Sequence, residues 1–364
     1  MGDKKRIAVI FGGQSSEHEV SRFSAEYVLR NIDQDKFDVV MIGITRDGTW
    51  LPYSGPIGLI ATGEWQALAE AEQKPQPMLL TAGAAMAKAE IDNKKIDVVF
   101  PVLHGCNGED GTIQGLFELA GVPYVGCGVL SSALCMDKAY TKVVFEKEGL
   151  PQGKYLVYSR KQISRDVDSI INEVENTLTY PCFVKPSNAG SSVGVSKAHD
   201  RGELVSALQF ASRYDRRILV EEYIDGFEAE CAVLGNDNPI ASTVGEVVPC
   251  NEFYDYEAKY MSGDSSEVII PARLPAHVTE KIREYSLRAF KALDCSGLAR
   301  VDFFVRKDNN EIYINEINTM PGFTQISMYS KLWAASGVSY DILIERLIEL
   351  AVERYSDSHK DIGN

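Results

Sequence analysis

Apolar and polar positions alternate in blocks along the first third of the chain. Arg6 to Phe11 is an apolar run closed by Gly12-Gly13, the pattern of a buried strand that ends in a turn. From Ser16 to Ile32 the apolar positions Val20, Phe23, Tyr27 and Val28 lie on one helical stripe. Asp38 to Ile44 and Ile96 to Leu103 are further strand patterns, and the second ends in His104-Gly105. A helix over about Thr112–Ala120 and a short strand at Tyr124-Val125 follow. This β-α-β alternation predicts an α/β fold whose N-terminal part is an open parallel, Rossmann-like sheet covered by helices. Ligands of such sheets gather at the carboxyl ends of the strands. Two strand ends here carry glycine-rich turns, Gly12-Gly13-Gln14-Ser15-Ser16-Glu17 and His104 to Gly111. Ser16 and Glu19 are spaced as a capping box for the helix between them.

Beyond this the pattern changes. A helix over about Ser131–Gly149 leads to a strand at Tyr155–Tyr158, and a helix near Val167–Leu178 leads to a strand at Cys182–Pro186. After a small-residue loop come a strand at Val193–Lys197, a helix from Arg201 with Asp200 and Glu203 as capping pair, and a strand at Ile218–Glu222. Glu228 to Val248 is strand-rich, Val268–Pro271 resumes the strand pattern, and helices are predicted around Glu280–Leu293 and Asp341–Tyr355. The segment from Pro249 to Ser266 is long for a connection in a compact domain, as lids are. Its Tyr254, Tyr256 and Tyr260 serve either a lid's closure or its packing.

The length of 364 residues calls for two or three domains. A net charge of −15 argues against a nucleic-acid or anionic-membrane binder, so any anionic substrate must be met by a few local cations. No apolar run approaches membrane length, and Lys4-Lys5-Arg6 run straight into the first strand without the pattern of an export leader. The seven cysteines form no C-x-x-C pair, which fits reduced thiols in a cytoplasmic protein.

Two stretches carry candidate chemistry. Val184-Lys185-Pro186-Ser187-Asn188-Ala189-Gly190-Ser191-Ser192-Val193-Gly194 contains a formal G-x-S-x-G match. A hydrolase elbow needs a strand running into the first glycine and a helix starting at once. Here the strand pattern stops at Pro186 and no helix signal appears before Asp200. The loop therefore reads as a flap between strands. Its backbone N–H groups and Lys185 suit a phosphate, and an ordinary polar hairpin loop is the alternative. In the second stretch, Arg300 to Val305 and Glu311 to Asn318 flank the turn sequence Lys307-Asp308-Asn309-Asn310. A hairpin centred there sets Asp302 opposite Glu316 and adds Arg300 and Asn318 to the same face, while Val301, Phe303 and Val305 point to a core. Oxygen ligands without His or Cys favour a hard cation such as Mg²⁺. A solvated hairpin face is the alternative, but it leaves Glu316 and Asn318 unexplained in an otherwise apolar strand.

Taken in order, Gly12-Gly13 with Ser15-Ser16-Glu17 and Glu19-Val20-Ser21, the His104 to Gly111 loop, Met136-Asp137-Lys138, Val184-Lys185-Pro186 with Gly190 to Gly194, Phe253 to Tyr260, and Glu316-Ile317-Asn318-Thr319 with Pro321-Gly322 resemble the D-alanine–D-alanine ligase family of ATP-grasp enzymes. The resemblance spans about Arg6 to Tyr355. It implies an N-terminal domain at 1–125, a central one at 126–219 and a C-terminal one at 220–364 with a lid loop at 249–266. It implies ligation of two D-alanine molecules through an acyl phosphate, with ATP and two Mg²⁺ or Mn²⁺ ions, for peptidoglycan precursors, in a cytoplasmic homodimer. By the same resemblance Lys138, Lys185, Ser191, Ser192 and Lys259 meet the phosphates, and Glu221, Tyr223, Ile224 and Glu228 take adenine and ribose. Asp302, Glu316 and Asn318 hold the metal, and Arg300 and the Gly322 N–H stabilise the oxyanion. Glu17 receives the first ammonium beside His104, while Ser327, next to Met328, holds the second carboxylate. Tyr260 joins Ser191 and Glu17 when the lid closes, so Ser191 latches the flap and is no nucleophile. Ligases that join D-alanine to D-lactate or D-serine share nearly all of these motifs, and other ATP-grasp carboxylate–amine ligases remain a further alternative.

Overall fold

The computed structural model describes residues 4–72, 90–91, 94–190, 192–248 and 267–358. The first part runs β1 (Lys5–Gly12), α1 (His18–Asn31), β2 (Phe37–Ile44), β3 (Trp50–Tyr53), α2 (Gly58–Thr62), α3 (Trp65–Glu72), the short pair β4 (Glu90–Ile91) and β5 (Lys94–Lys95), β6 (Val98–Pro101) and α4 (Thr112–Ala120). Its sheet has the order β3-β2-β1-β6. β1 is central and parallel to both neighbours, as its continuous apolar run requires, whereas β3 adds an antiparallel edge to the expected parallel sheet. Tyr124 contributes a single parallel bridge to Val99 in place of a strand. β1 must end at a glycine. Gly12 has φ +89°, and a Cβ there would lie 2.1 Å from the Ile44 carbonyl oxygen.

The expected capping box at Ser16 and Glu19 does not form. The N-cap of α1 is Glu17 with no side-chain cap, and the Glu19 carboxylate turns to Arg46 and Arg22. These arginines are stronger donors for a carboxylate than a backbone N–H.

The helix expected over Ser131–Gly149 is two helices, α5 (Val129–Met136) and α6 (Lys138–Lys147). Asp137 breaks it with extended backbone, closing α5 and capping α6. Partners remote in sequence hold it there: Ser187 Oγ donates to its carboxylate at 2.6 Å, and Arg217 pairs with the other oxygen. Next come β7 (Tyr155–Ser159), α7 (Arg160–Arg165), α8 (Val167–Thr177), β8 (Cys182–Pro186), β9 (Ser196–Ala198), α9 (Arg201–Ala211) and β10 (Arg217–Glu222). These strands form an antiparallel sheet in the order β7-β10-β8-β9. Val193–Val195 belongs to a turn and not to the strand expected there. The division expected between 219 and 220 would cut β10, which pairs along its length inside this sheet. The Asp200 carboxylate caps α9 at the Glu203 N–H as expected, while Glu203 itself turns to His199.

The last part comprises β11 (Gly226–Gly235), β12 (Ile240–Val248), β13 (Glu267–Ile269), α10 (Ala276–Ala292), β14 (Gly297–Arg306), β15 (Ile312–Asn318), α11 (Met328–Ala335) and α12 (Tyr340–Ser358). Its five-stranded sheet has the order β13-β12-β11-β14-β15. Val301, Phe303 and Val305 are buried against Ile282 and Phe290 of α10. On the other side, Ala232, Leu234 and Leu298 share one core with Leu343, Leu347 and Ile348 of α12 and with Ile7, Val9 and Phe11 of β1. The first and last elements of the chain thus close a common core. Among the described residues no helix is long and apolar enough to cross a membrane. The loop 249–266 lies outside the described residues.

Candidate active site

A cleft of about 630 Å³ opens where the three larger sheets approach one another. The hairpin of β14 and β15 supplies one wall, with the expected pairs Asp302 opposite Glu316 and Arg300 opposite Asn318, and a bulge between Asp302 and Phe303 shifts the pairing nearer the turn by one residue. β11 extends both rows and brings Glu230 beside Asp302. Arg300 sits among these carboxylates. Its Nε and Nη2 donate to the two Asp302 oxygens at 2.7 Å each, and Glu230 Oε2 lies 2.8 Å from Nε. Asn318 Nδ2 donates to Asp302 Oδ2 at 3.0 Å, and Lys138 Nζ is 3.4 Å from Glu316 Oε2. Asp302, Glu316 and Asn318 therefore present only oxygen and amide donors to one face, as a hard divalent cation requires. Among the described residues no group of three or more His, Cys, Asp or Glu could hold a metal. A cation here would take two carboxylates and an amide from the protein, and its remaining ligands from water or phosphate. That is how Mg²⁺ is commonly held.

The opposite wall is cationic. Lys138 and Lys142 stand one turn apart on α6 and both line the cleft. Lys138 Nζ donates to the Ala189 carbonyl at 2.9 Å, which ties the helix to the flap. Lys142 Nζ is 2.6 Å from Glu221 Oε1, and Lys185 of β8 pairs with Glu221 Oε2. Burial alone would raise the Glu221 carboxyl, but the ammonium groups of Lys142 and Lys185 outweigh it and hold the value down at about 2. Burial lowers the Lys142 ammonium, partly offset by Glu221. Beyond Glu221, the Tyr223 ring lies under Lys197 Nζ at 4.4 Å and beside the tilted ring of Phe183 at 6.2 Å, an aromatic lining next to Ile224 and Glu228.

The far end is built by the N-terminal sheet, at the carboxyl ends of β1 and β6. Glu17 is buried at the head of α1. Gly105 (φ +72°) lets the next loop approach it, since a Cβ there would lie 2.5 Å from Glu17 Oε2. The flap arrives from the other side, with the position of a Gly190 Cβ 3.5 Å from both carboxylate oxygens. Glu109 accepts the Gly105 N–H at 2.7 Å, and burial followed by the Glu17 charge pushes its carboxyl well up. His104 is buried between the Met320 carbonyl and Ser24 Oγ, each 3.0 Å from a ring nitrogen. Burial lowers its imidazole to about 4, with the Met320 carbonyl opposing, so the ring is neutral at pH 7. Ser327 Oγ accepts the Thr324 N–H at 2.9 Å, and a Cβ at Gly322 would sit 2.9 Å from it, so these two face each other closely. Met328 opens α11 and is buried under Gly245.

The flap runs strand to strand, from β8 to β9, with Ser192 (φ +59°) and Gly194 (φ +76°) in its turn and no helix behind it. A serine-hydrolase elbow has no place in this connection. The structure thus gathers Glu17, His104, Lys138, Lys185, Ser192, Glu221, Tyr223, Ile224, Glu228, Arg300, Asp302, Glu316, Asn318, Gly322, Ser327 and Met328 around one cleft. Ser191, Lys259 and Tyr260 lie outside the described residues. Glu109 of the His104 to Gly111 loop lines the cleft as well, as do Lys142 and Glu230, which belong to none of the sequence motifs. Lys142 was within reach as the residue four after Lys138, and Glu230 as the residue two after Glu228 on a strand.

The family model described as D-ala D-ala ligase N-terminus matches residues 6–127, and the one described as D-ala D-ala ligase C-terminus matches residues 144–349. The chain is 65% identical to the D-alanine–D-alanine ligase of Ruminiclostridium cellulolyticum and 62% identical to that of Acetivibrio thermocellus, covering 99% of each chain in both cases. Among solved structures, the VanG D-Ala:D-Ser ligase from Enterococcus faecalis superposes with a TM-score of 0.85 at 42% identity, covering 96% of this chain and 100% of the other. The D-alanine–D-alanine ligase from Coxiella burnetii gives 0.85 at 38%, covering 98% and 96%. With both family models matched in order over most of its length, and an α/β architecture shared with these ligases, the chain belongs to the D-alanine–D-alanine ligase family of ATP-grasp enzymes.

Proposed function

We propose that this protein joins two D-alanine molecules into D-alanyl-D-alanine at the expense of ATP, supplying a precursor of peptidoglycan. The observation that carries the reading is the single cleft in which the Asp302–Glu316 row faces Lys138 and Lys185, while Glu17 closes the far end. Phosphoryl transfer onto a carboxylate brings like charges together, so catalysis is mostly positioning and neutralisation. Glu17 holds the ammonium of the first D-alanine beside neutral His104. The carboxylate oxygen of that D-alanine attacks the γ-phosphorus of ATP, and the bond to ADP breaks to leave D-alanyl phosphate. Lys138, Lys185 and the flap N–H groups near Ser191 and Ser192 steady the phosphates, with Lys259 meeting the transferred group. Glu221, Tyr223, Ile224 and Glu228 line the adenine and ribose end. A pair of divalent cations, Mg²⁺ or Mn²⁺, on Asp302, Glu316 and Asn318 would supply neutralisation of the phosphate charge.

The second D-alanine lies with its carboxylate on Ser327 and the backbone at Met328. Its amine attacks the acyl carbon, loses a proton and expels phosphate. Arg300 and the Gly322 N–H hold the oxyanion between these events. Tyr260 and Ser191 latch the lid 249–266. The resemblance further supports a cytoplasmic homodimer of three-domain chains, with domains at 1–125 and from 126 onward. Pairing of the whole of β10 in the second sheet supports moving the second boundary past Glu222.

A second reading, ligation of D-alanine to D-serine, draws on the likeness to the VanG D-Ala:D-Ser ligase. The test is mass spectrometry of products from ATP, Mg²⁺ and an equimolar mixture of D-alanine, D-serine and D-lactate, with phosphate release followed in parallel. D-Ala-D-Ala with matching phosphate is expected. D-Ala-D-Ser or a depsipeptide would replace the second substrate and keep the mechanism. Phosphate without any condensed product would remove the ligase reading.

A further inference from the structure

Lys142 lines the cleft and has no task in the scheme above. Its side chain is 4% exposed, which is costly for an ammonium unless it is paired. Glu221 supplies the pair, but Glu221 also holds Lys185, one oxygen for each lysine. The three groups together carry a net charge of +1 on the cleft floor. Without Lys142, the Glu221 carboxylate would face Lys185 alone, and the pair would be neutral. An ammonium neutralised in this way, and drawn onto a buried carboxylate, offers little to a phosphate. The Tyr155 ring, 5.3 Å from Lys142 Nζ, adds cation–π support but no charge.

We infer that Lys142 is a positioning residue for the nucleotide phosphates: it takes up half of the Glu221 carboxylate and leaves Lys185 a net cation. The inference rests on the nucleotide reading of the cleft. In a chain of net charge −15 this local excess matters, because the global field repels a polyphosphate. A lysine that merely packed the core would affect every ligand of the cleft alike. One that supplies charge to the phosphate end weakens ligands that carry phosphate far more than adenosine, which meets this group only through Glu221.

Calorimetric titration with MgADP and with adenosine separates the two roles. In Lys142→Met the Kd for ADP should rise about tenfold while that for adenosine stays within about twofold, and Lys142→Arg should bring ADP back to within about threefold of wild type. Should Lys142→Met not fold, Lys142→Gln removes the same charge and keeps a donor for Glu221. Equal weakening of both ligands, or an unchanged ADP affinity, overturns the inference. Failure of the wild-type protein to bind either ligand overturns the nucleotide reading itself, and is seen before any variant is made.

Discussion

Arg300 shows how much of this site rests on the shape of one side chain. A guanidinium fork spans Glu230 and both oxygens of Asp302, which a lysine could not do. Arg300→Lys is therefore expected to lower kcat on the order of 10²-fold while leaving ADP binding nearly intact, checked by phosphate release and nucleotide titration. Equal losses in both would make Arg300 a nucleotide contact instead. His104 yields a pH signature. Its folded value of about 4 lies below the free-imidazole value of 6.5, so its stabilising contribution is full above pH 6.5 and is lost as pH falls toward 4. The loss amounts to about 3 kcal/mol at most. Urea unfolding at pH 7.5 and pH 5 should show a smaller pH dependence in His104→Gln than in wild type, and equal dependence would show that the imidazole is not buried neutral. The hairpin carboxylates were legible because their spacing states their face. Lys142 was legible only as a helical neighbour of Lys138, since its partner Glu221 comes from a different sheet.

At the level of elements, legibility followed locality. The β14–β15 hairpin could be placed from its turn signal and alternation, but the bulge between Asp302 and Phe303 could not, and from Phe303 to Val305 the partners lie one residue nearer the turn, at Ile314 to Ile312. The break at Asp137 could not, because Ser187 and Arg217 hold it from far along the chain. Nor could the β3-to-α3 segment, whose docking depends on one tertiary fit. Trp65 of α3 packs over Gly43 of β2, where a Cβ would come within 2.1 Å of the indole, and lies edge-on to Phe11 at 4.9 Å. Gly43→Ala is expected to cost about 1–3 kcal/mol by pushing α3 off the sheet, read as a lower urea midpoint with a blue-to-red shift of tryptophan emission. An unchanged midpoint would mean that Trp65 has room to move aside.

On the scale of the whole molecule, the ends of the chain are one structural unit. Leu347 of α12 is fully buried in the cluster that also holds Ile7, Val9 and Phe11 of β1. Arg354 fastens the same helix, donating to the Gly126 carbonyl at 2.8 Å and stacking on Tyr124 at 4.1 Å, and Lys36 reaches Glu345 at 2.8 Å. Leu347→Ala is expected to destabilise by about 2–5 kcal/mol. Hydrogen exchange should then speed up together at the amides of β1 and α12. Retained protection in β1 alone would show that the first sheet stands by itself. A shared core has a consequence for how the protein is made. The strand that organises the first sheet leaves the ribosome long before the helix that completes its core. Through that interval α1 and α3 cover part of the apolar flank of the nascent sheet, the part that α12 will cover stays open, and a chaperone, or aggregation with neighbouring chains, competes for it until α12 arrives.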